Sequence, residues 1–253
     1  MVARFTDKIV LVTGGGSGIG RATAEAFARE GATVVVSGRT AESLAETVAR
    51  IEGQGGRADA IPADVTRAGQ VADLIGTIAA RYGRLDVAFN NAGAFGAAAH
   101  VAGIDEAIWS TVLATNVTGV MLSMKYEIAC MKENGGGVII NMGSVRGAHT
   151  RTPGLGAYAA SKAAVSALTR TAAKEYIRDG IRINAISPGP IAAPMSRWPG
   201  ESDAERDARV AGDLPIGRIG AVEEVAATVL WLASPEAGFI VGHDLVIDGG
   251  LSA

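Results

Sequence analysis

The chain has 253 residues, 48% of them hydrophobic, and a formal net charge of −3. Its charges are dispersed, which excludes the clustered basic surface that nucleic acid requires. One cysteine, Cys130, and three histidines, His100, His149 and His243, give neither an intrachain disulfide nor metal-ligand spacing.

Residues 8–13, Lys-Ile-Val-Leu-Val-Thr, read as a buried parallel strand. The glycine-rich run from Gly14 to Gly20 follows at once, and residues 18–30 read as a helix ended by Gly31. Strand, glycine turn and helix N-terminus together form an anion site from backbone N–H groups and the helix dipole. Further strands are expected at 33–37, 57–62, 86–89, 137–142, 181–187 and 244–247. Further helices are expected at 41–52, 67–81, about 105–132, 157–178 and 222–233. That alternation predicts one parallel sheet with helices on both faces, an α/β doubly wound arrangement. The first strand is expected to begin within eight residues of Met1, so no signal peptide is expected. The reading finds no apolar run of about 18 residues, so no membrane span is expected. A lone cysteine fits a reducing cytoplasm.

Tyr158 and Lys162 stand one helical turn apart in a segment of strong helix formers. Two unit charges about 4 Å apart interact by roughly 4 kcal/mol at an effective dielectric near 20. At about 1.36 kcal/mol per unit, a neighbouring ammonium could lower a phenol by up to roughly three units. The expectation is a tyrosine able to exchange protons near neutral pH, as general acid–base catalysis requires.

The motifs Thr13-Gly14-x-x-x-Gly18-x-Gly20, Asn90-Asn91-Ala92-Gly93, Ser144, Tyr158-x-x-x-Lys162 and Pro188-Gly189 occur in this order. Together they make the chain resemble a short-chain dehydrogenase/reductase of the compact branch, similar to 3-oxoacyl reductase-like members. The resemblance covers essentially the whole chain and implies a Rossmann fold with a seven-stranded parallel sheet in a single domain, 1–253. It implies a catalytic set of Asn116, Ser144, Tyr158 and Lys162. Ser144 would donate to the substrate oxygen, Tyr158 would act as acid or base, and Lys162 would hold the cofactor ribose. Asn116 would hold a water on a proton path towards Lys162. The cofactor would lie on Gly14, Ser17, Gly18, Ile19 and Gly20, on Asp64 and Val65, on Asn91, Ala92 and Gly93, and on Pro188, Gly189 and Ile191. Asp64 and Thr66 read equally as helix-capping residues. Ala193 stands where many relatives carry threonine.

The second strand ends at Gly38-Arg39, with no acid to take a ribose 2′-hydroxyl. Gly38 leaves room and Arg39 offers a fork of donors suited to a 2′-phosphate, so NADP is favoured, with NAD as the alternative. Residues 192–220 read as a substrate lid containing Met195, Trp198 and Leu214. Arg146, His149 and Arg151 read either as solvated loop charges, the plainer view, or as a basic rim for an anionic substrate. The small residues Ala160, Ala164, Ala167 and Thr171, with Trp231 and 241–251, carry the resemblance's implied homotetramer of D2 symmetry. The partner class is a small carbonyl or alcohol substrate. The other readings are an extended epimerase/dehydratase-type enzyme, or a catalytically silent nucleotide-binding regulator.

Overall fold

All seven expected strands pair in one parallel sheet of order β3-β2-β1-β4-β5-β6-β7. The protein is described by a computed structural model covering residues 3–198 and 200–253. The strands are β1 (Ile9–Thr13), β2 (Thr33–Gly38), β3 (Arg57–Pro62), β4 (Val87–Asn90), β5 (Gly137–Met142), β6 (Ile181–Pro188) and β7 (Asp244–Ile247).

Strand residues alternate between two core layers, because successive side chains point to opposite faces. Val10, Val12, Val34, Val36, Phe89 and Ile140 face α1 (Gly18–Arg29), α2 (Ala41–Glu52) and, late in the chain, α9 (Val222–Ala233). Leu11, Val35, Ala88, Ile139 and Ile183 face the other layer. That layer holds α3 (Ala68–Tyr82), α5 (Gly119–Glu133) and α7 (Gly156–Tyr176). This is the doubly wound Rossmann arrangement.

The helix expected at about 105–132 is interrupted. It runs as α4 (Glu106–Leu113), a π-helical turn over Ala114–Thr118, then α5. Within 106–133, an 18-residue window has mean hydropathy 1.3, apolar enough to cross a membrane by length and composition. The expectation that no such run exists is therefore corrected. Its buried residues, Asn116 and Glu127 among them, pack it into the core, α5 lying against α3. Two short helices were not expected: α6 (Val145–Ala148) and α8 (Asp203–Ala211), the latter inside the lid segment.

β1 and β4 are neighbours whose connections run to opposite sides of the sheet. In such folds, ligands bind at this reversal, beyond the carboxyl ends of the strands. The glycine turn, Asn91, Ser144 and Gly189 all follow strands at that edge, and Pro188 ends β6 there.

Candidate active site

The glycine turn is shaped by contacts that tolerate no side chain. Gly14 has φ +65°, and a Cβ there would lie 2.9 Å from Asn91 Nδ2 and 3.0 Å from Ala92 Cα. A Cβ at Gly20 would strike the Gly14 carbonyl oxygen and come within 2.6 Å of Asn91 Nδ2. Turn, α1 and the end of β4 thus close on one another through backbone. Thr13 Oγ1 accepts the N–H groups of Asn91 and Ala92, both at 3.1 Å, and Asn91 Nδ2 donates to the Thr13 carbonyl at 3.0 Å. Ser17 precedes α1 without its hydroxyl taking up any of the helix's N–H groups. The geometry fits a dinucleotide pyrophosphate: glycines against the ligand, and an open helix N-terminus.

From this turn a cavity of about 310 Å³ extends towards α7. Gly14, Ser17, Gly18, Ile19, Asn91, Ala92 and Gly93 form one wall. Ser144, Tyr158 and Lys162 form another, and Pro188, Gly189 and Ile191 a third. Phe95, Val145, Arg146, Pro194, Met195 and Ser196 also line it, so the lid segment does reach the cavity. Ala193 also lines it, offering no hydroxyl. Five expected residues lie outside the cavity wall: Gly20, Arg39, Asp64, Val65 and Asn116.

Asn116 is fully buried in the π-helical turn. Its side chain accepts from Ala94 N at 2.7 Å and donates to Ala94 O at 2.8 Å and Ser161 Oγ at 2.9 Å. It ties the strand-end segment to α7 from behind the site. π-turns interrupt the ordinary helix ladder and recur at functional sites.

Asp64 Oδ1 accepts from Thr66 N and Oγ1 at 2.9 and 2.8 Å, so its local turn role is real. Burial pushes this carboxyl up, but the two Thr66 hydrogen bonds and the charges of Arg39 and Arg67 hold it below its ordinary value. Gly38 leaves open space, the nearest atom to a Cβ there being 3.6 Å away. Arg39 is exposed and makes no hydrogen bond or ion pair among the described residues.

Ser144 caps α6, its hydroxyl accepting from Arg146 N at 3.2 Å. Tyr158 stands in the first turn of α7, its ring 5.0 Å from that of Phe95. Part of the residue is open to the cleft, while its hydroxyl is desolvated by the walls. Burial pushes the phenol above its ordinary value of 10.0, with the Ser144 hydroxyl and the Arg146 charge pulling the other way. The lowered phenol expected from helix spacing is therefore corrected. Lys162 Nζ lies 5.8 Å from the Tyr158 ring centre and donates instead to the Met142 carbonyl at 2.8 Å. Burial holds the ammonium itself down, to about 8. Helix spacing brings the two side chains to one face, but it says nothing of the desolvation both suffer there.

Two polar clusters behind the site escaped the sequence reading. Asp244, at the start of β7, accepts from Ser187 Oγ at 2.6 Å and from Ser166 Oγ, and meets His149 Nε2 at 3.1 Å. It thereby joins the segment after Ser144, the turn after Lys162 and the strand leading into Pro188. The second cluster links Glu127, Asn90, Asn141 and Thr169 through side chains. Burial pushes the Glu127 carboxyl up to about 8, so it is protonated at neutral pH. Glu127 Oε1 and Asn90 Oδ1 have no partner among the described residues.

A cavity running from a dinucleotide cradle to Ser144, Tyr158 and Lys162 agrees with the comparisons. The family model described as enoyl-(acyl carrier protein) reductase matches residues 14–252. The chain is 39% identical over 248 residues to the 3-oxoacyl-(acyl-carrier-protein) reductase FabG of Thermotoga maritima, covering 98% of this chain and 99% of the relative. The chain belongs to the short-chain dehydrogenase/reductase family. Cyclohexanol dehydrogenase of Acinetobacter sp. is 36% identical over 254 residues, covering 100% of this chain and 98% of the relative. The crystal structure of levodione reductase superposes with a TM-score of 0.93 at 36% identity, covering 98% of this chain and 99% of that one. The protein is an enzyme, an NAD(P)-dependent oxidoreductase of this family acting on CH–OH and C=O groups.

Proposed function

We propose that the protein transfers a hydride between NADP(H) and a carbonyl or secondary alcohol, with Tyr158 as general acid and base. The observation that carries this reading is the single cavity that Ser144, Tyr158 and Lys162 share with the glycine turn. The bound nicotinamide would supply the hydride chemistry. Gly14, Ser17, Gly18, Ile19 and Gly20 would hold the pyrophosphate. Asp64, Val65, Asn91, Ala92 and Gly93 would border the adenosine half. Pro188, Gly189 and Ile191 would lie against the nicotinamide, and Lys162 would hold a ribose.

Ser144 points its hydroxyl where charge develops on the substrate oxygen, the position that preorganised donors stabilise best. Tyr158 gives that oxygen a proton on reduction and takes one on oxidation. A phenol held above 10.0 keeps its proton at neutral pH. Asn116 steadies the floor of the site, and its π-helical turn is the place for a water leading towards Lys162.

Arg39 beside Gly38 supports NADP over NAD, since a guanidinium fork suits a 2′-phosphate. The segment 192–220 would close over the substrate within a single domain, 1–253. Ala160, Ala167 and Thr171 stand exposed along α7, and Phe239 is fully exposed near Trp231 and Val241 in sequence. These two faces support a D2 homotetramer, which a monomeric mass by light scattering at micromolar concentration would rule out. Buried, unpaired Cys130 suits a cytoplasmic setting. Assay of a diketone and alcohol panel with NADPH and with NADH tests the whole reading. Turnover with NADPH preferred is expected, and no turnover with either cofactor would favour a silent nucleotide-binding regulator.

A further inference from the structure

Three basic residues follow Ser144, and the structure gives each a different fate. His149 turns back to the buried Asp244 at 3.1 Å. Arg151 donates to the carbonyls of Gly147 and Thr150 at 2.6 and 2.9 Å. Arg146 alone lines the cavity. Among the described residues its guanidinium donates no hydrogen bond, and no carboxylate lies within 4.0 Å of it.

The guanidinium is carried on an anchored backbone. Arg146 N donates to Ser144 Oγ at 3.2 Å. Arg146 leaves helical geometry at φ −80° and ψ 53°. The next residue, Gly147, is pressed on α7, where a Cβ would lie 2.9 Å from Lys162 Cβ. Arg146 is thus rooted between two residues of the proposed catalytic set. Phe95, Val145 and Met195 line the same cavity, and no Asp or Glu lines it. A partly buried cation among apolar side chains is stabilised by an anion arriving with its own acceptor oxygens. The planar fork matches a carboxylate bidentately. Arg146 shares this cavity with Ser144 and Tyr158, the residues proposed to meet the substrate oxygen.

We propose that Arg146 is the anion-recognition residue of this cavity, and that the substrate is a compact carbonyl compound, or its alcohol, bearing a carboxylate or similar anionic group. The proposal rests on the oxidoreductase reading above, but it is testable apart from it. The probes are 4-oxopentanoate and 5-oxohexanoate, each paired with its neutral amide, titrated calorimetrically into the full-length protein saturated with NADP⁺. Each acid is expected to bind about tenfold or more tightly than its amide, the worth of a charge-assisted pair. Raised salt should narrow that gap. The preference should vanish in Arg146→Gln and survive in part in Arg146→Lys. Equal binding of acids and amides by the wild type, or an undiminished preference in Arg146→Gln, would overturn the anion site. Turnover with NADPH is read separately. Acids bound selectively but never reduced would overturn the oxidoreductase reading and leave the anion site standing. Reduction of acids and amides with equal kcat/KM would do the opposite.

Discussion

The two halves of the cavity are built by different physics. On the β1 side, position is set by main chain. Gly14 and Gly20 allow contacts that any Cβ would block, and Thr13 and Asn91 pin the turn to β4 through backbone groups. On the β5–β7 side, position is set by buried side chains. Asp244 gathers Ser166, Ser187 and His149 behind the site, and Glu127 with Asn90, Asn141 and Thr169 fills the gap beneath β4 and β5. The first half needs its glycines to stay glycines, with the neutral side chains of Thr13 and Asn91 to tie them to β4. The second half holds charge and protons in a dry interior, so its behaviour depends on pH and on each partner being present.

The largest effect is expected where the second half meets the cofactor. Lys162→Ala removes a buried ammonium that donates to Met142 O and, on this account, grips a ribose. Loss of kcat/KM by about 10²–10⁴-fold is expected, together with weakened NADPH binding. A variant with normal NADPH affinity would show that the glycine half alone holds the cofactor.

Glu127 tests the interior cluster through pH. Its carboxyl sits at about 8 in the fold against an ordinary 4.5. Between those values the fold keeps a proton that the unfolded chain has lost. Glu127 therefore costs the fold nothing below about pH 4.5, and stability falls as pH rises towards about 8. The slope is at most about 1.4 kcal/mol per pH unit. Glu127→Gln should remove that slope and be the more stable protein above pH 7, while still accepting from Asn90 Nδ2. Denaturant unfolding at several pH values and fixed protein concentration measures it. Parallel pH profiles for the two proteins would mean that Glu127 is ionised in the fold.

The smallest of these effects lies at the exposed end of the main-chain half. Arg39→Ala should weaken NADPH binding by roughly 10- to 150-fold, the worth of one charge-assisted contact of about 1.5–3 kcal/mol. NADH, without a 2′-phosphate, should bind much as before. Tighter binding of NADH than NADPH by the wild type would make this an NAD enzyme and leave Arg39 a solvent-facing residue.

What the sequence makes legible follows the same division. β1 and β2 are nearly continuous apolar runs, and the glycine turn announces itself between a strand and a helix. Ser144, Tyr158 and Lys162 are found together as expected. The rest depended on contacts between distant positions. His149 and Asp244 meet across 95 residues, and Asn90 and Glu127 across 37. Neither pair shares a local pattern. Asn116 is singled out by the resemblance, but nothing local in the sequence shows the π-helical turn that it sits in. For Tyr158, the i, i+4 spacing to Lys162 reports proximity, whereas burial decides the sign of the shift.

The central claim is that one cavity holds a proton donor and a cofactor grip that are separate in kind. Single-turnover mixing of NADPH-loaded enzyme with a substrate identified in the panel, for wild type and Tyr158→Phe, tests it directly. Tyr158→Phe should bind NADPH with nearly the wild-type Kd and consume it slower by about 10²–10⁴-fold. A variant that keeps more than about a third of the wild-type rate, when chemistry limits that rate, would contradict the assignment of Tyr158 as the acid–base group.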